Sequence, residues 1–167
     1  LDGRPIRIES EPLGLVAHHR KEALLVLGAH VAAVVQRLGG GAQVAHRTAA
    51  ALGQVLQQQG RWKDAIASFH HALANPVYTT PDLARFHLGR SLAHEGDYQG
   101  AMEAFEDALV VSPPNVPPAL LNLELGRAYH KLGFERRSKD TLIKVTTLDK
   151  GGEYAAAAKE LLTRLKP

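Results

Sequence analysis

Cysteine is absent from the 167 residues, and aromatic side chains make up only 5% of them, with a single tryptophan. A chain without cysteine has no disulfide framework, no thiolate zinc site and no cysteine nucleophile. Neither sign of charge dominates, since 20 basic residues stand against 17 acidic ones and the formal net charge is +3. Nucleic-acid binders usually concentrate basic residues in a patch with interleaved aromatic side chains, so we expect no nucleic-acid partner.

Sequence motifs of catalysis and cofactor binding are also missing. Gly39-Gly40-Gly41 is not followed by the lysine and hydroxyl residue of a phosphate-binding loop, and no nucleophile elbow or dinucleotide fingerprint occurs. The nine histidines include no His-Glu-x-x-His spacing, and we interpret them as structural or surface side chains. A catalytic or metal-binding role for them is the alternative from a different class of function. The sequence therefore predicts no enzyme activity, no catalytic residue, no metal site and no cofactor.

An apolar run from Ala23 to Val35 is shorter than the roughly 20 apolar residues of a transmembrane helix. It belongs to a longer segment, Leu13 to Leu38, in which apolar residues recur at steps of three, four and seven. We expect one long amphipathic helix here, within an N-terminal extension that covers residues 1–45 and ends in a glycine hinge. This helix could cap the rest of the chain, belong to a decayed repeat, or pair with a second copy in a homo-oligomer. Membrane contact by this segment is not expected.

Three segments of the remaining chain share one internal pattern. A Leu-Gly pair is followed by a second glycine at seven positions, a small residue at twelve and a bulky apolar residue at sixteen. The residues in this order are Gly53, Gly60, Ala65 and Phe69, then Gly89, Gly96, Ala101 and Phe105, then Gly126, Gly133, Ser138 and Leu142. The first glycine and the small residue let two helices of a pair approach closely, and the second glycine ends the first helix in a left-handed conformation. Thr80 is predicted to cap a helix that Pro81 begins.

This pattern resembles the tetratricopeptide repeat, which has a period of about 34 residues. The resemblance implies an all-α fold, a right-handed superhelix of antiparallel helix pairs, here with a long N-terminal helix and a C-terminal capping helix. The predicted domains are residues 1–45 and residues 46–167. The second contains repeats at 46–81, 82–118 and 119–150 and the capping helix at 153–166.

In this family, partner segments lie on the concave face formed by the first helices of the pairs. The family register places on that face Arg47, Gln54 and Gln57 from the first repeat, Phe86, Arg90 and His94 from the second, and Leu123, Arg127, His130 and Lys131 from the third. This set has no acidic side chain, and arginine suits bidentate contact with carboxylates. We therefore expect a protein or peptide partner with acidic or carboxylate groups. The alternative is an ordinary solvated helix surface. The family's carboxylate clamp is not matched, because Gln54, Arg90 and Arg127 stand where asparagine would.

The turn from Ala72 to Gly89 resembles one in bacterial type IV pilus pilotin lipoproteins, periplasmic proteins that promote assembly of the outer-membrane secretin ring. The lipid-bearing N-terminal cysteine of that group is missing here. The resemblance implies a non-enzymatic assembly factor and favours the bacterial periplasm or envelope over the cytoplasm. Two alternatives stay open: a self-assembling scaffold that uses the N-terminal helix, and a membrane-tethered regulator of envelope lipid synthesis.

Overall fold

A computed structural model of the protein describes residues 41–74, 76 and 78–165. The predicted N-terminal helix and the hinge residues Gly39 and Gly40 lie outside the described residues. Within the described part the chain forms seven α-helices and no strand, so the predicted all-α fold is confirmed. The helices are α1 (Gly41–Gln58), α2 (Trp62–Leu73), α3 (Pro81–Glu95), α4 (Tyr98–Leu109), α5 (Pro118–Lys131), α6 (Glu135–Leu148) and α7 (Glu153–Arg164). Gly41, expected in a hinge, instead begins α1. The helix of the first repeat was expected from His46, and it extends toward the N-terminus through residues 42–45.

The first six helices form three antiparallel pairs. Turns at 59–61, 96–97 and 132–134 join the two helices of each pair. Because these connections are short, the second helix runs back along the first. Gly60, Gly96 and Gly133 adopt φ angles of 71°, 87° and 79° in these turns. The prediction that the second glycine of each repeat is left-handed is therefore confirmed.

Close contact within each pair depends on the first glycine of the pattern. A Cβ atom added at Gly89 would lie 2.6 Å from the Phe105 ring, and the matching distance from Gly126 to Leu142 is 2.8 Å. Real Cβ atoms essentially never approach that closely, so any side chain here would force the two helices apart. The third pair adds a hydrogen bond, since the Ser138 hydroxyl donates to the carbonyl of Gly126 at 2.8 Å.

The pairs stack side by side into a curved solenoid. We call α1, α3 and α5 the inner helices and α2, α4 and α6 the outer helices. Neighbouring inner helices contact one another, whereas no two outer helices do so within the described residues. The stack therefore curves with its inner helices on the concave side. Helix α7 contacts both α6 and α5, so it takes the place of a fourth inner helix.

Apolar side chains fill the spaces between successive pairs. Phe69 and Leu88 lie in the cluster between the first and second pairs. Phe105 and Leu125 lie in the cluster between the second and third. Leu142 packs with Ala158 and other residues beneath α7, at the end of the stack. These three clusters hold the inner helices in a fixed register along the concave side.

A buried carboxylate ties the start of α3 to the loop that precedes α5. Pro81 is the first residue of α3, as predicted, but the Thr80 side chain makes no capping hydrogen bond. Asp82 is fully buried and accepts hydrogen bonds from the Asn115 backbone amide at 2.5 Å and the Val116 amide at 3.1 Å. Burial raises the pKa of this carboxyl, but the hydrogen bonds from Asn115 and Val116 outweigh that effect and hold the pKa below its ordinary value.

None of the described helices combines the length and the apolar character that a membrane-spanning helix requires.

Candidate partner-binding groove

A cavity of about 420 Å³ opens between the second and third helix pairs, where α3 and α5 lie beside the start of α4. Its lining consists of Arg90, Ala93, His94, Tyr98, Glu124 and Arg127. Three of the side chains predicted for the concave face, Arg90, His94 and Arg127, are therefore brought together in one place. The repeat explains the pairing of the arginines, because each directly follows the close-packed glycine of its inner helix.

The two arginines of this cavity differ in their partners. Arg90 is exposed, and its guanidinium lies 5.8 Å from the centre of the Phe86 ring. No carboxylate of the described residues pairs with it. Arg127 lies 2.8 Å from a carboxylate oxygen of Glu124, and the two side chains are 46% and 20% exposed. Arg90 is thus the open cation of the cavity, whereas the charge of Arg127 is partly neutralised.

Glu124 is a lining residue that the family register did not place on the concave face. It lies three residues before Arg127 on α5, a separation at which two helical side chains meet. That spacing was the available signal in the sequence. The side chain brings a negative charge into a cavity whose other charged residues are basic.

Aromatic rings form a second wall of the cavity. The His94 ring stacks on Trp62 with centroids 3.8 Å apart and planes 6° from parallel. Trp62 begins α2, so this stack joins the first pair of helices to the second. The ammonium group of Lys131 lies 5.9 Å from the centre of the Tyr98 ring, which places this predicted lysine beside the cavity. Sequence reasoning did not single out Trp62 or Tyr98.

Gln57 is held in hydrogen bonds between α1 and α3 and is not a free surface residue. Its amide nitrogen donates to the His87 carbonyl at 2.8 Å and to the Ser91 hydroxyl at 2.7 Å. Its amide oxygen lies 2.9 Å from Nδ1 of His87, which therefore carries the ring proton. Burial, with a smaller effect of the Arg90 charge, lowers the pKa of His87 to about 4. The imidazole is consequently neutral at neutral pH and donates within this network.

The remaining predicted residues lie outside the cavity lining. Phe86 is only 5% exposed and packs in the cluster between the second and third pairs, and Leu123 is 3% exposed and packs in the cluster beneath α7. Arg47 is exposed on the first half of α1, and Gln54 is half-buried on the same helix. His130 lies 3.1 Å from a carboxylate oxygen of Glu135. The positions chosen by the family register therefore include buried core residues as well as open ones.

The described part of the chain contains no group of three or more histidine, aspartate or glutamate side chains that could hold a metal ion.

The family model described as tetratricopeptide repeat matches residues 50–119. No curated protein matches the sequence.

Three solved structures illustrate the likeness. The tetratricopeptide-repeat domain of Arabidopsis OM64 has a TM-score of 0.64 at 14% identity, over 74% of this chain and 98% of that domain. The second such domain of human RPAP3, solved with an HSP70 peptide, has a TM-score of 0.62 at 16% identity over 75% and 96%. PcrH from Pseudomonas aeruginosa has a TM-score of 0.63 at 17% identity over 74% and 92%. The fold is thus that of a tetratricopeptide-repeat solenoid, and residues 50–119 match the tetratricopeptide-repeat family model.

Proposed function

We propose that the concave side of the solenoid binds a segment of a partner protein, with an anionic group of that segment between Arg90 and Arg127. One observation carries the proposal: a cavity opens between α3 and α5 beside Arg90, which has no carboxylate partner among the described residues. A guanidinium without a partner is available for paired hydrogen bonds to a carboxylate. The tetratricopeptide-repeat fold is typical of protein–protein interaction modules, and the proposed role is accordingly a non-enzymatic one.

The shape and charge of the cavity support an extended peptide as ligand. The cavity is an open depression along the inner helices, so a chain can lie across it. The RPAP3 domain, which has a similar fold, was solved with the peptide SGPTIEEVD. In the present chain, three basic side chains and one acidic side chain lie in or beside the cavity, namely Arg90, Arg127, Lys131 and Glu124. This excess of positive charge favours acidic segments and speeds their association.

The test is a peptide selection with the purified full chain, followed by affinity measurements. Peptides are selected from a random-sequence display library, and their Kd values are measured by calorimetry. We expect the double variant Arg90→Glu and Arg127→Glu to weaken binding about tenfold or more, because two attractive charges become repulsive.

The matched control reverses two lysines that lie away from the cavity. Lys144 and Lys150 are exposed toward the opposite end of the repeats, so Lys144→Glu with Lys150→Glu changes the net charge by the same amount. We expect this control to bind the peptides like the wild-type chain. Equal binding by both double variants, or the absence of any selected peptide, would contradict the proposed groove.

Narrower roles remain predictions. A part in bacterial envelope or type IV pilus assembly rests on the turn between Ala72 and Gly89, of which residues 75 and 77 are outside the described residues. The expected homo-oligomer and the self-assembling scaffold both depend on the N-terminal helix, which lies outside the described part of the chain. Regulation of envelope lipid synthesis and a periplasmic location are likewise predictions from the sequence alone.

A further inference from the structure

We infer that Glu124 determines the charge pattern of the segment that the groove accepts. The preferred segment carries an acidic group for Arg90 and, next to it, a hydrogen-bond donor or a basic side chain for Glu124. A segment with two adjacent acidic groups is disfavoured. This inference rests on the proposed function of the groove and names the ligand class of that same site.

The position of Glu124 distinguishes it from an ordinary surface charge. Its side chain is 20% exposed and lines the cavity. One carboxylate oxygen accepts from the Arg127 guanidinium at 2.8 Å. No donor among the described residues reaches the other oxygen. A carboxylate with one free oxygen facing a binding cavity offers an acceptor to whatever enters it.

The cavity is therefore polarised from one wall to the other. On the α3 wall, Arg90 has no acidic partner within the described residues, and a ligand carboxylate gains its full attraction there. On the α5 wall, Glu124 offsets the charge of Arg127, and a second ligand carboxylate would meet a negative group. Reduced exposure weakens the screening of this repulsion by water and salt. Specificity then follows from repulsion of one ligand class as much as from attraction of the other.

A simpler role for the ion pair between Glu124 and Arg127 is to stabilise helix α5. Pairs three residues apart on an exposed helix stabilise the helix slightly and have no effect on ligands. If that were the whole role of Glu124, its neutralisation would leave the ligand preference unchanged. The two explanations therefore differ in a measurable way.

The experiment compares peptide selection by the wild-type chain with selection by Glu124→Gln, which preserves the shape of the side chain and removes its charge. The matched control is Glu103→Gln, on the exposed face of α4, which makes the same change of net charge away from the cavity. Kd values of the selected peptides follow from the fluorescence of Trp62, the single tryptophan, which stacks on His94 at the cavity wall.

We expect wild-type selection to enrich peptides with an acidic residue beside a basic or donor residue. Glu124→Gln should bind peptides with two adjacent acidic residues about three- to tenfold more tightly than the wild-type chain does. Glu103→Gln should behave like the wild-type chain. The affinity gain of Glu124→Gln should shrink at high salt.

Two results would overturn the inference in different ways. Peptides that bind through Arg90 but show the same charge pattern and affinity with Glu124→Gln would refute the role of Glu124 while leaving the groove intact. Failure to select any peptide whose binding depends on Arg90 and Arg127 would refute the proposed function, and the role of Glu124 would fall with it.

Discussion

Single side chains decide how closely the helices of a pair approach each other. Gly53, Gly89 and Gly126 each face a bulky side chain of the outer helix, at distances that leave no room for a Cβ atom. The turn glycines are different, since nothing lies within 4 Å of a Cβ added at Gly133, and only its φ of 79° is unfavourable for other residues. The same residue type thus serves packing at one position and backbone conformation at another.

This difference leads to a prediction for two alanine substitutions. Gly89→Ala should lower the free energy of unfolding by about 2–3 kcal/mol, because the methyl group overlaps Phe105 in a packed core. Gly133→Ala should cost only about 1 kcal/mol, the price of a left-handed alanine. Urea denaturation measures both, and equal effects of the two substitutions would contradict the packing role of Gly89.

Protonation of His87 should make the fold sensitive to acid. The pKa of His87 is about 4 in the folded chain and 6.5 when the side chain is free in water, as in the unfolded chain. Between these pH values the unfolded chain therefore binds more protons than the folded chain. Stability should be fully present above pH 6.5 and should fall as the pH drops toward 4, by up to about 3 kcal/mol.

The matched variant for this effect is His87→Asn, which keeps a side-chain donor for Gln57 but does not titrate. Unfolding free energies between pH 7 and 4.5 should fall with decreasing pH more steeply for the wild-type chain than for the variant. Parallel pH profiles would show that His87 does not cause the dependence.

Helices and loops show which contacts the sequence can predict. The repeat spacing predicted the helix pairs and their turns, because these features follow from local sterics. The bulky apolar residues of the pattern, Phe69, Phe105 and Leu142, prove to be buried. The spacing did not predict contacts such as Trp62 with His94 or Asp82 with Asn115, which join residues more than 30 positions apart. Those contacts depend on how successive pairs are placed against each other.

The repeat pattern also did not predict how deeply each side chain of an inner helix is buried. Leu88 and Leu125 are 6% and 4% exposed, because the preceding pair covers each of them. Leu52 occupies the same position of the first repeat and is 37% exposed. Among the side chains predicted for the concave face, burial likewise separates Phe86 and Leu123 from the open Arg90. Periodicity assigns a residue to a face, but burial depends on what the neighbouring repeat brings to that face.

The link between α3 and the loop before α5 gives a prediction about stability. Asp82→Ala would leave the amides of Asn115 and Val116 without their acceptor, and we expect a loss of about 2–3 kcal/mol. Chemical denaturation at neutral pH measures this loss, and Asp97→Ala serves as the comparison, since its carboxylate accepts only from the exposed start of α4. A loss below that of Asp97→Ala would show that the buried carboxylate does not hold the loop.

At the largest scale, the stack of helices in residues 41–165 carries a polar, open cavity. The core between the pairs fixes the spacing of the inner helices, and the repeat places Arg90 and Arg127 on the same side of neighbouring helices. Preorganised side chains of this kind lose little conformational entropy when a ligand binds. The proposed recognition of an acidic segment is therefore a property of the stacked repeats and not of any single helix.

Backbone amide chemical shifts of the nitrogen-15-labelled chain, recorded while a selected acidic peptide is added, test this account most directly. The account predicts that the largest changes fall at the C-terminal ends of α3 and α5 and at the start of α4, around Arg90, Tyr98 and Arg127. Changes concentrated on the exposed faces of α4 and α6, with these residues unaffected, would contradict it.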